Sequence, residues 1–160
     1  MMALTAIPSG TVAGCGAGAT AVAGETANLT EPPGIRIEAL GGIAALRQVV
    51  FVDSASGAAY YTLGPMCPPA SQCPVSDSAN GEVARASVDG YFGLAAAPAF
   101  RALRADYGPT PYGADMREYV VTIFANDRMR TIRADDGSMP SLLSEFVNTV
   151  MAGVQAAAGR

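Results

Sequence analysis

The sequence predicts an α+β fold: a two-layer domain in which a mostly antiparallel sheet of about five strands is covered on one face by two main helices. Two observations predict it. The inferred elements follow the order β-β-β, helix, β-β, helix, and short turns join the neighbouring strands, which favours antiparallel pairing. The chain has 160 residues, 50% of them hydrophobic, which is enough for one buried core.

The first three strands are predicted between residues 35 and 63. Apolar and polar residues alternate over 35–40, and two glycines end this strand. Residues 47–53 form a β-branched and aromatic run, and residues 54–57 turn it into a third strand over 58–63. We therefore expect a three-stranded antiparallel meander.

The segment 82–103 is predicted to be mainly helical. Its apolar residues recur at the spacing of one helical face, and they are Val88, Tyr91, Phe92 and Ala95. Pro98 interrupts the helix, and Phe100 with Leu103 continues it as a short second turn.

A hairpin is predicted from residues 116–125 and 128–135, joined by Asn126 and Asp127. A two-residue turn sets the cross-strand pairs Phe124–Met129, Val121–Ile132 and Tyr119–Ala134. The second strand carries three arginines, which we interpret as solvent-facing protection of a sheet edge: Arg128, Arg130 and Arg133.

The final helix is predicted to start at Pro140, and the carboxylates of Asp135 and Asp136 upstream are expected to cap it. Its apolar residues fall on one face, and they are Leu143, Phe146, Val147, Val150, Met151 and Val154. The chain therefore divides into a leader and linker over 1–34 and a single domain over 35–158.

The leader contains a short sequence that resembles a bacterial lipobox. Val12, Ala13 and Gly14 precede Cys15, whose thiol would carry the lipid after cleavage. The segment before them departs from the pattern, because it has no Lys or Arg and its apolar stretch is short and interrupted. A low-complexity tail with a chance cysteine is the alternative. We predict lipidation at Cys15 and a lipid membrane anchor.

The other two cysteines lie in a proline-rich loop over 64–74. Cys67 and Cys73 are predicted to form a disulfide, which would stabilise the fold by about 2 kcal/mol through loop entropy. A zinc site would need two further ligands, and the spacing is not that of the redox Cys-X-X-Cys motif. The disulfide implies an oxidising compartment, so we expect an exported protein in the periplasm or on the cell surface.

Missing residue types exclude the common catalytic mechanisms. All ten cationic side chains are Arg, and the chain has no His, no Lys and no Trp. It therefore cannot form a Ser-His or Cys-His pair, a Schiff base or a P-loop. A net charge of −4 argues against a duplex nucleic acid partner. We predict a protein that is not an enzyme, with no cofactor, no metal and no nucleic acid.

The acidic residues leave room for chemistry that does not need histidine. Asp115 with Glu118, or Asp106 with Asp115, could act as a carboxylate pair, but surface charge is the simpler interpretation. Residues 135–138 could bind calcium, yet they lack the ligand spacing of an EF-hand.

Three stretches of the domain resemble the emfourin family, small bacterial inhibitors of thermolysin-type metallopeptidases. They are residues 35–42, the segment 100–103 with Tyr107 and Gly108, and residues 113–123 continuing through 130–140. The resemblance implies an α+β fold and a binding role directed at a peptidase. The cysteine loop and the leader depart from a small soluble inhibitor, so no inhibitory residue is transferred.

We therefore predict a non-enzymatic, exported and lipid-anchored binding module whose partner is a protein. A metallopeptidase that it inhibits or regulates is the first candidate. An accessory lipoprotein subunit docked on a larger membrane protein complex is the alternative.

Overall fold

The structure is a computed structural model that describes residues 25–27, 32–66, 74–109 and 116–160. Its strands are β1 (Glu25–Ala27), β2 (Gly34–Gly41), β3 (Leu46–Asp53), β4 (Ala58–Pro65), β5 (Asp77–Glu82), β6 (Arg117–Ala125) and β7 (Arg128–Asp135). Its helices are α1 (Arg85–Ala96), α2 (Pro98–Arg101) and α3 (Ser141–Ala157). The predicted α+β class is confirmed.

The described strands form one antiparallel sheet in the order β1-β7-β6-β2-β3-β4-β5. The predicted count of about five strands is too low. The sequence Asp-Ser-Ala-Asn-Gly-Glu of β5 has no apolar alternation, and the three-residue β1 lies within the predicted leader. β1 and β5 lie at opposite edges of the sheet, and each pairs with a single neighbouring strand. These strands form through that pairing, so the amino-acid composition of the segments does not predict them.

The β6–β7 hairpin has the predicted register. Phe124 lies opposite Met129, Val121 opposite Ile132 and Tyr119 opposite Ala134. Asn126 and Asp127 have φ angles of 52° and 59°, the left-handed conformation that a two-residue hairpin turn of this kind requires. The turn and the apolar alternation therefore specify the same pairing.

One hydrophobic core lies between the sheet and the three helices, which pack on the same face. The segment predicted to be helical over 82–103 forms α1 and α2, separated at Ala97, whose extended backbone precedes Pro98. The largest buried side chains of the core include Phe100, Phe146, Ile35, Ile37, Ile132 and Leu143. The rings of Phe100 and Phe146 are in contact, with centroids 4.6 Å apart.

The start of α3 differs from the prediction in its capping. Pro140 is the residue before the helix, and no side chain caps its first turn. The carboxylate of Asp135 instead accepts hydrogen bonds from the backbone N–H groups of Gly137 (3.0 Å) and Ser138 (2.8 Å). Asp135 therefore stabilises the turn that leads into α3 and does not cap the helix, because its carboxylate oxygen is bonded to the backbone amides of that turn.

The core-facing residues of α3 are those that the periodicity predicts. Leu143, Phe146, Val147, Val150 and Val154 are buried, and Met151 is half-buried. Among the described helices, none is long and apolar enough to cross a membrane.

Candidate functional site

The predicted site residues Cys15, Cys67 and Cys73 lie outside the described residues. Lipidation at Cys15 and the Cys67–Cys73 disulfide therefore stay predictions. The chain on either side of the cysteine loop belongs to neighbouring strands, since Leu63 of β4 lies opposite Asp77 of β5. The N–H of Ser76 donates to the carbonyl of Leu63 at 2.8 Å, so the fold itself brings the two flanks of the loop together.

The carboxylates considered as acid pairs are partly described. Asp115 lies outside the described residues, whereas Asp106 and Glu118 line a recess of about 400 Å³ that also contains Arg133 and Asp135. Within the described part of the chain, no three His, Cys, Asp or Glu residues are grouped so that they could hold a metal ion.

Three described groups have a shifted pKa, and each shift has a local structural cause. The pKa of Asp53 is lowered, first by a hydrogen bond from the backbone of Ser56. Burial raises the pKa of Tyr91. Burial also raises the pKa of Tyr119, and the nearby negative charge of Asp136 adds to this effect. A hydrogen bond within a turn and burial in the core cause these pKa shifts. Both causes also act on residues with a purely structural role, so the shifts do not indicate a catalytic site.

Three arginines line a groove on the helix side of the sheet, at the hairpin end of β6 and β7. Arg101, Arg128 and Arg130 surround a space of about 490 Å³. Its remaining walls are mostly apolar, and they comprise Phe92, Ala95, Ala96, Ile123, Ala125 and Asn126. We call this space the arginine groove.

The solvent-facing interpretation of the arginines is wrong for Arg130, which is only 7% exposed. Its Nη2 donates hydrogen bonds to the backbone carbonyls of Leu103 (3.0 Å) and Arg101 (3.3 Å). Its guanidinium also lies 5.5 Å from the ring centre of Phe100. The strand is not the sheet edge either, because β1 pairs with Arg128–Arg130 on its outer side. The alternation of β7 does place Arg130 on the core side with Ile132, and this is the signal that sequence could have used.

The opposite face of the sheet carries an ion-pair network on β2 and β3. Glu38 accepts from Arg36 at 2.8 Å and from Arg47 at 2.7 Å, and all three side chains are half-buried. Arg36 and Glu38 alternate along β2 with Ile35 and Ile37, which point into the core. The network therefore lies on the face away from the described helices.

Aromatic and threonine side chains continue this surface. The rings of Phe51 and Tyr60 stack with centroids 5.3 Å apart. Phe51 also covers Gly34, where a Cβ atom would stand 2.5 Å from its ring. The hydroxyl groups of Thr122 and Thr131 are 3.5 Å apart on the neighbouring strands. We call the surface formed by Arg36, Glu38, Arg47, Phe51, Tyr60 and Thr62 the open face.

Tyrosine exposure could not be assigned from the sequence, and the structure resolves it for the described residues. Tyr61 is buried in the core, whereas Tyr60 and Tyr107 are half-buried. Tyr112 lies outside the described residues.

Comparisons with models of known protein families, with curated proteins and with solved structures find no significant match. The likeness to emfourins therefore stays a prediction from the sequence pattern.

Proposed function

We propose that the chain is a non-enzymatic, exported binding module, anchored by a lipid at Cys15, whose open face receives a protein partner. The observation that carries the proposal is the one-sided arrangement of the described elements. All three helices pack against the same face of the sheet, while the other face presents the Glu38 ion pairs beside the Phe51–Tyr60 stack.

The side chains of the open face suit a protein surface. Aromatic residues and arginine are enriched in protein interfaces, and the open face combines two of each. Its two guanidinium groups share one carboxylate, so the network carries one excess positive charge in a chain of net charge −4. This charge favours an acidic partner surface, because complementary charge directs association.

A metallopeptidase is the first candidate partner, and inhibition or regulation of it is the corresponding role. This role is inferred from the resemblance to the emfourin pattern of residues 35–42, of 100–103 with Tyr107 and Gly108, and of 113–123 with 130–140. A membrane protein complex on which the chain docks is the alternative partner, and the identity of a crosslinked protein distinguishes the two.

The interface is tested by site-specific photocrosslinking in the organism that makes the protein. A photoreactive amino acid replaces Tyr60 on the open face, and the matched control replaces Leu94, which is 44% exposed on α1. We expect one crosslinked protein from position 60 and none from position 94. Its identification by mass spectrometry shows whether it is a peptidase or a membrane subunit.

Purified partner then gives the decisive measurement. Thr62→Arg places a bulky charge on the open face, and Asn148→Arg places the same charge on an exposed position of α3. We expect the first variant to weaken binding at least about tenfold and the second to leave it unchanged. Equal crosslinking from both positions, or equal affinity of both variants, would contradict the proposed interface.

Export and anchoring are tested by intact-mass analysis of the native protein. We expect a chain that begins at Cys15, carries lipid and is two hydrogens lighter because Cys67 and Cys73 are joined. A full-length, unmodified and reduced chain would refute the anchor, the disulfide and the oxidising compartment together.

A further inference from the structure

We propose that one end of the sheet is a membrane-contact site, at which the β2–β3 turn inserts Ile43 into the surface of an electrically neutral lipid bilayer. We call this end, formed by Ile43, Met66 and Val75, the apolar end. The proposal rests on the lipid anchor proposed at Cys15, because it specifies how the anchored domain meets the membrane. It uses none of the residues of the open face.

The first argument is the exposure of large apolar side chains at this end. Ile43 is 88% exposed, Val75 59% and Met66 45%. Leu94 on α1 is the fourth such residue in the part of the chain that the structure describes. Single exposed apolar side chains are ordinary on a protein surface, whereas a group of them marks a site of interaction.

Backbone contacts hold this group together. The N–H of Met66 donates to the carbonyl of Ala45 at 2.7 Å, which fixes the end of β4 beside the β2–β3 turn. A Cβ atom on Gly64 would stand 3.5 Å from the Cα atom of Val75, so Val75 lies against the same end of β4. The three apolar side chains therefore belong to neighbouring parts of one sheet end.

The second argument is the chemistry of the turn, which favours lipid over protein. Residues 40–46 are Leu-Gly-Gly-Ile-Ala-Ala-Leu, a segment with no charged, polar or aromatic side chain. Protein interfaces are enriched in aromatic residues and arginine, and a protruding aliphatic side chain needs a matching pocket there. The boundary between headgroups and acyl chains accepts aliphatic side chains without a preformed pocket. Because the turn carries no charge, its insertion requires no anionic lipid.

The third argument is the direction of β1. Glu25 lies opposite Arg130, and the aligned residues of the next two strands are Ile123 and Ile35. From this level β2 runs toward the apolar end. β1 runs the opposite way, because it is antiparallel to β7, as β7 is to β6 and β6 to β2. The N-terminal end of β1 therefore points toward the apolar end.

The chain length between Cys15 and Glu25 suits an anchor at this end. Gly41, the last residue of β2, lies six residues beyond Ile35, or about 20 Å along the strand. The ten residues from Cys15 to Glu25 can span up to about 33 Å. A lipid on Cys15 and the side chain of Ile43 can therefore enter the same membrane surface.

The test tethers the full-length chain to phosphatidylcholine vesicles that contain a nickel-chelating lipid. An added N-terminal hexahistidine tag holds the chain, and the attachment is unique because the chain has no His. The chain also has no Trp, so Ala44→Trp places a single fluorescent reporter beside Ile43. Its quenching by lipids with brominated acyl chains, relative to ordinary lipids, measures insertion.

We expect brominated lipids to quench the Ala44→Trp reporter and to leave a Leu94→Trp reporter on α1 unquenched. In the Ala44→Trp background, Ile43→Asn should lower the ratio of inserted to free chain at least about tenfold, the factor that corresponds to burial of one isoleucine. Leu94→Asn is the matched control, because it removes an exposed leucine from α1, and it should leave the quenching unchanged. High salt should also leave the quenching unchanged.

Equal quenching of the two reporters, no quenching of the Ala44→Trp reporter, equal losses in Ile43→Asn and Leu94→Asn, or loss of quenching at high salt would each overturn the proposal. A photoreactive amino acid in place of Ile43 tests the alternative in the producing organism. A protein crosslinked there would assign the apolar end to a protein partner and would also overturn the membrane contact.

The membrane contact and the lipid anchor can fail separately. The tag supplies the tether in the vesicle experiment, so its result does not depend on a lipid at Cys15. The intact mass of the native protein decides the anchor. An unmodified Cys15 together with a quenched Ala44→Trp reporter would refute the anchor and keep the contact, and a lipidated chain with an unquenched reporter would do the reverse.

Discussion

The hydroxyl group of Tyr91 in α1 lies where the Cβ atom of any side chain at position 153 in α3 would stand. Gly153 therefore permits the two helices to approach, although glycine within a helix costs about 1 kcal/mol relative to alanine. α3 contacts α1 as well as β3, β4 and β5, so this pair of residues sets how closely the two helices pack.

Replacing Gly153 with alanine should therefore destabilise the protein, against the usual effect of this substitution. Overpacking a core costs about 1–3 kcal/mol, and the gain of about 1 kcal/mol from replacing a helical glycine offsets part of it, so we expect Gly153→Ala to lower the free energy of unfolding by up to about 2 kcal/mol. Gly93→Ala in α1 is the matched control, because its Cβ would meet nothing within 4 Å, and it should stabilise by up to about 1 kcal/mol. Urea unfolding measures both. If Gly153→Ala were as stabilising as Gly93→Ala, the packing of Tyr91 on Gly153 would be wrong.

Burial of Tyr91 also predicts a loss of stability at alkaline pH. Its pKa is raised above the usual 10.0 because burial disfavours the phenolate. The folded state therefore holds its proton more tightly than the unfolded state. The resulting stabilisation is complete below pH 10 and is lost as the pH rises through the folded pKa. We expect Tyr91→Phe to reduce this alkaline loss, measured as the free energy of unfolding against pH. An unchanged slope above pH 10 in Tyr91→Phe would contradict this prediction.

The turn between β2 and β3 holds Ala45 in a conformation that favours glycine. Its φ angle is 45°, and its N–H donates to the carbonyl of Gly42 at 2.9 Å. We expect Ala45→Gly to raise the free energy of unfolding by about 1 kcal/mol, because glycine removes the steric cost of the left-handed region. The neighbouring exposed Ala44 is the control, since its φ is not positive, and Ala44→Gly should not stabilise the protein. Equal melting temperatures for the two variants would argue against the turn geometry.

Elements with strong periodicity could be predicted from the sequence, and edge strands could not. The β6–β7 register follows from alternation together with the Asn126–Asp127 turn, and the buried face of α3 follows from its spacing. In β5, by contrast, Gly81 packs against the backbone of Ala157 at the end of α3. This contact joins distant parts of the chain, and the sequence of β5 has no apolar alternation that would predict the strand.

The candidate sites were harder to predict than the fold, for a physical reason. The arginine groove combines residues of α1, α2 and the β6–β7 hairpin, which meet only when the helices pack on the sheet. A buried arginine is rare, so the sequence favours surface charge at Arg130. The core accommodates Arg130 because the backbone carbonyls of Arg101 and Leu103 accept hydrogen bonds from its guanidinium. Together with the ring of Phe100, these carbonyls replace water around the charge.

Asp53 provides a prediction at acidic pH. One carboxylate oxygen accepts from the backbone N–H groups of Ala55 (2.9 Å) and Ser56 (2.7 Å) and from the Ser56 hydroxyl (2.8 Å). These bonds hold the turn between β3 and β4, and the backbone bond from Ser56 contributes most to the lowered pKa of Asp53. The folded state therefore binds a proton at this position less readily than the unfolded state.

The stabilisation from Asp53 is consequently complete above its unfolded pKa, near 3.8, and is lost as the pH falls through the folded value. We expect Asp53→Ala to lower the free energy of unfolding by about 1 kcal/mol at neutral pH. That difference should shrink as the pH falls from 3.8 through the lower pKa of the folded Asp53 carboxyl. Asp89→Asn is the matched control, because Asp89 forms an exposed ion pair with Arg85 on α1, and such pairs contribute about 0–1 kcal/mol. A cost of Asp53→Ala that stayed constant from neutral pH down to full protonation would show that packing, and not the carboxylate, holds the turn.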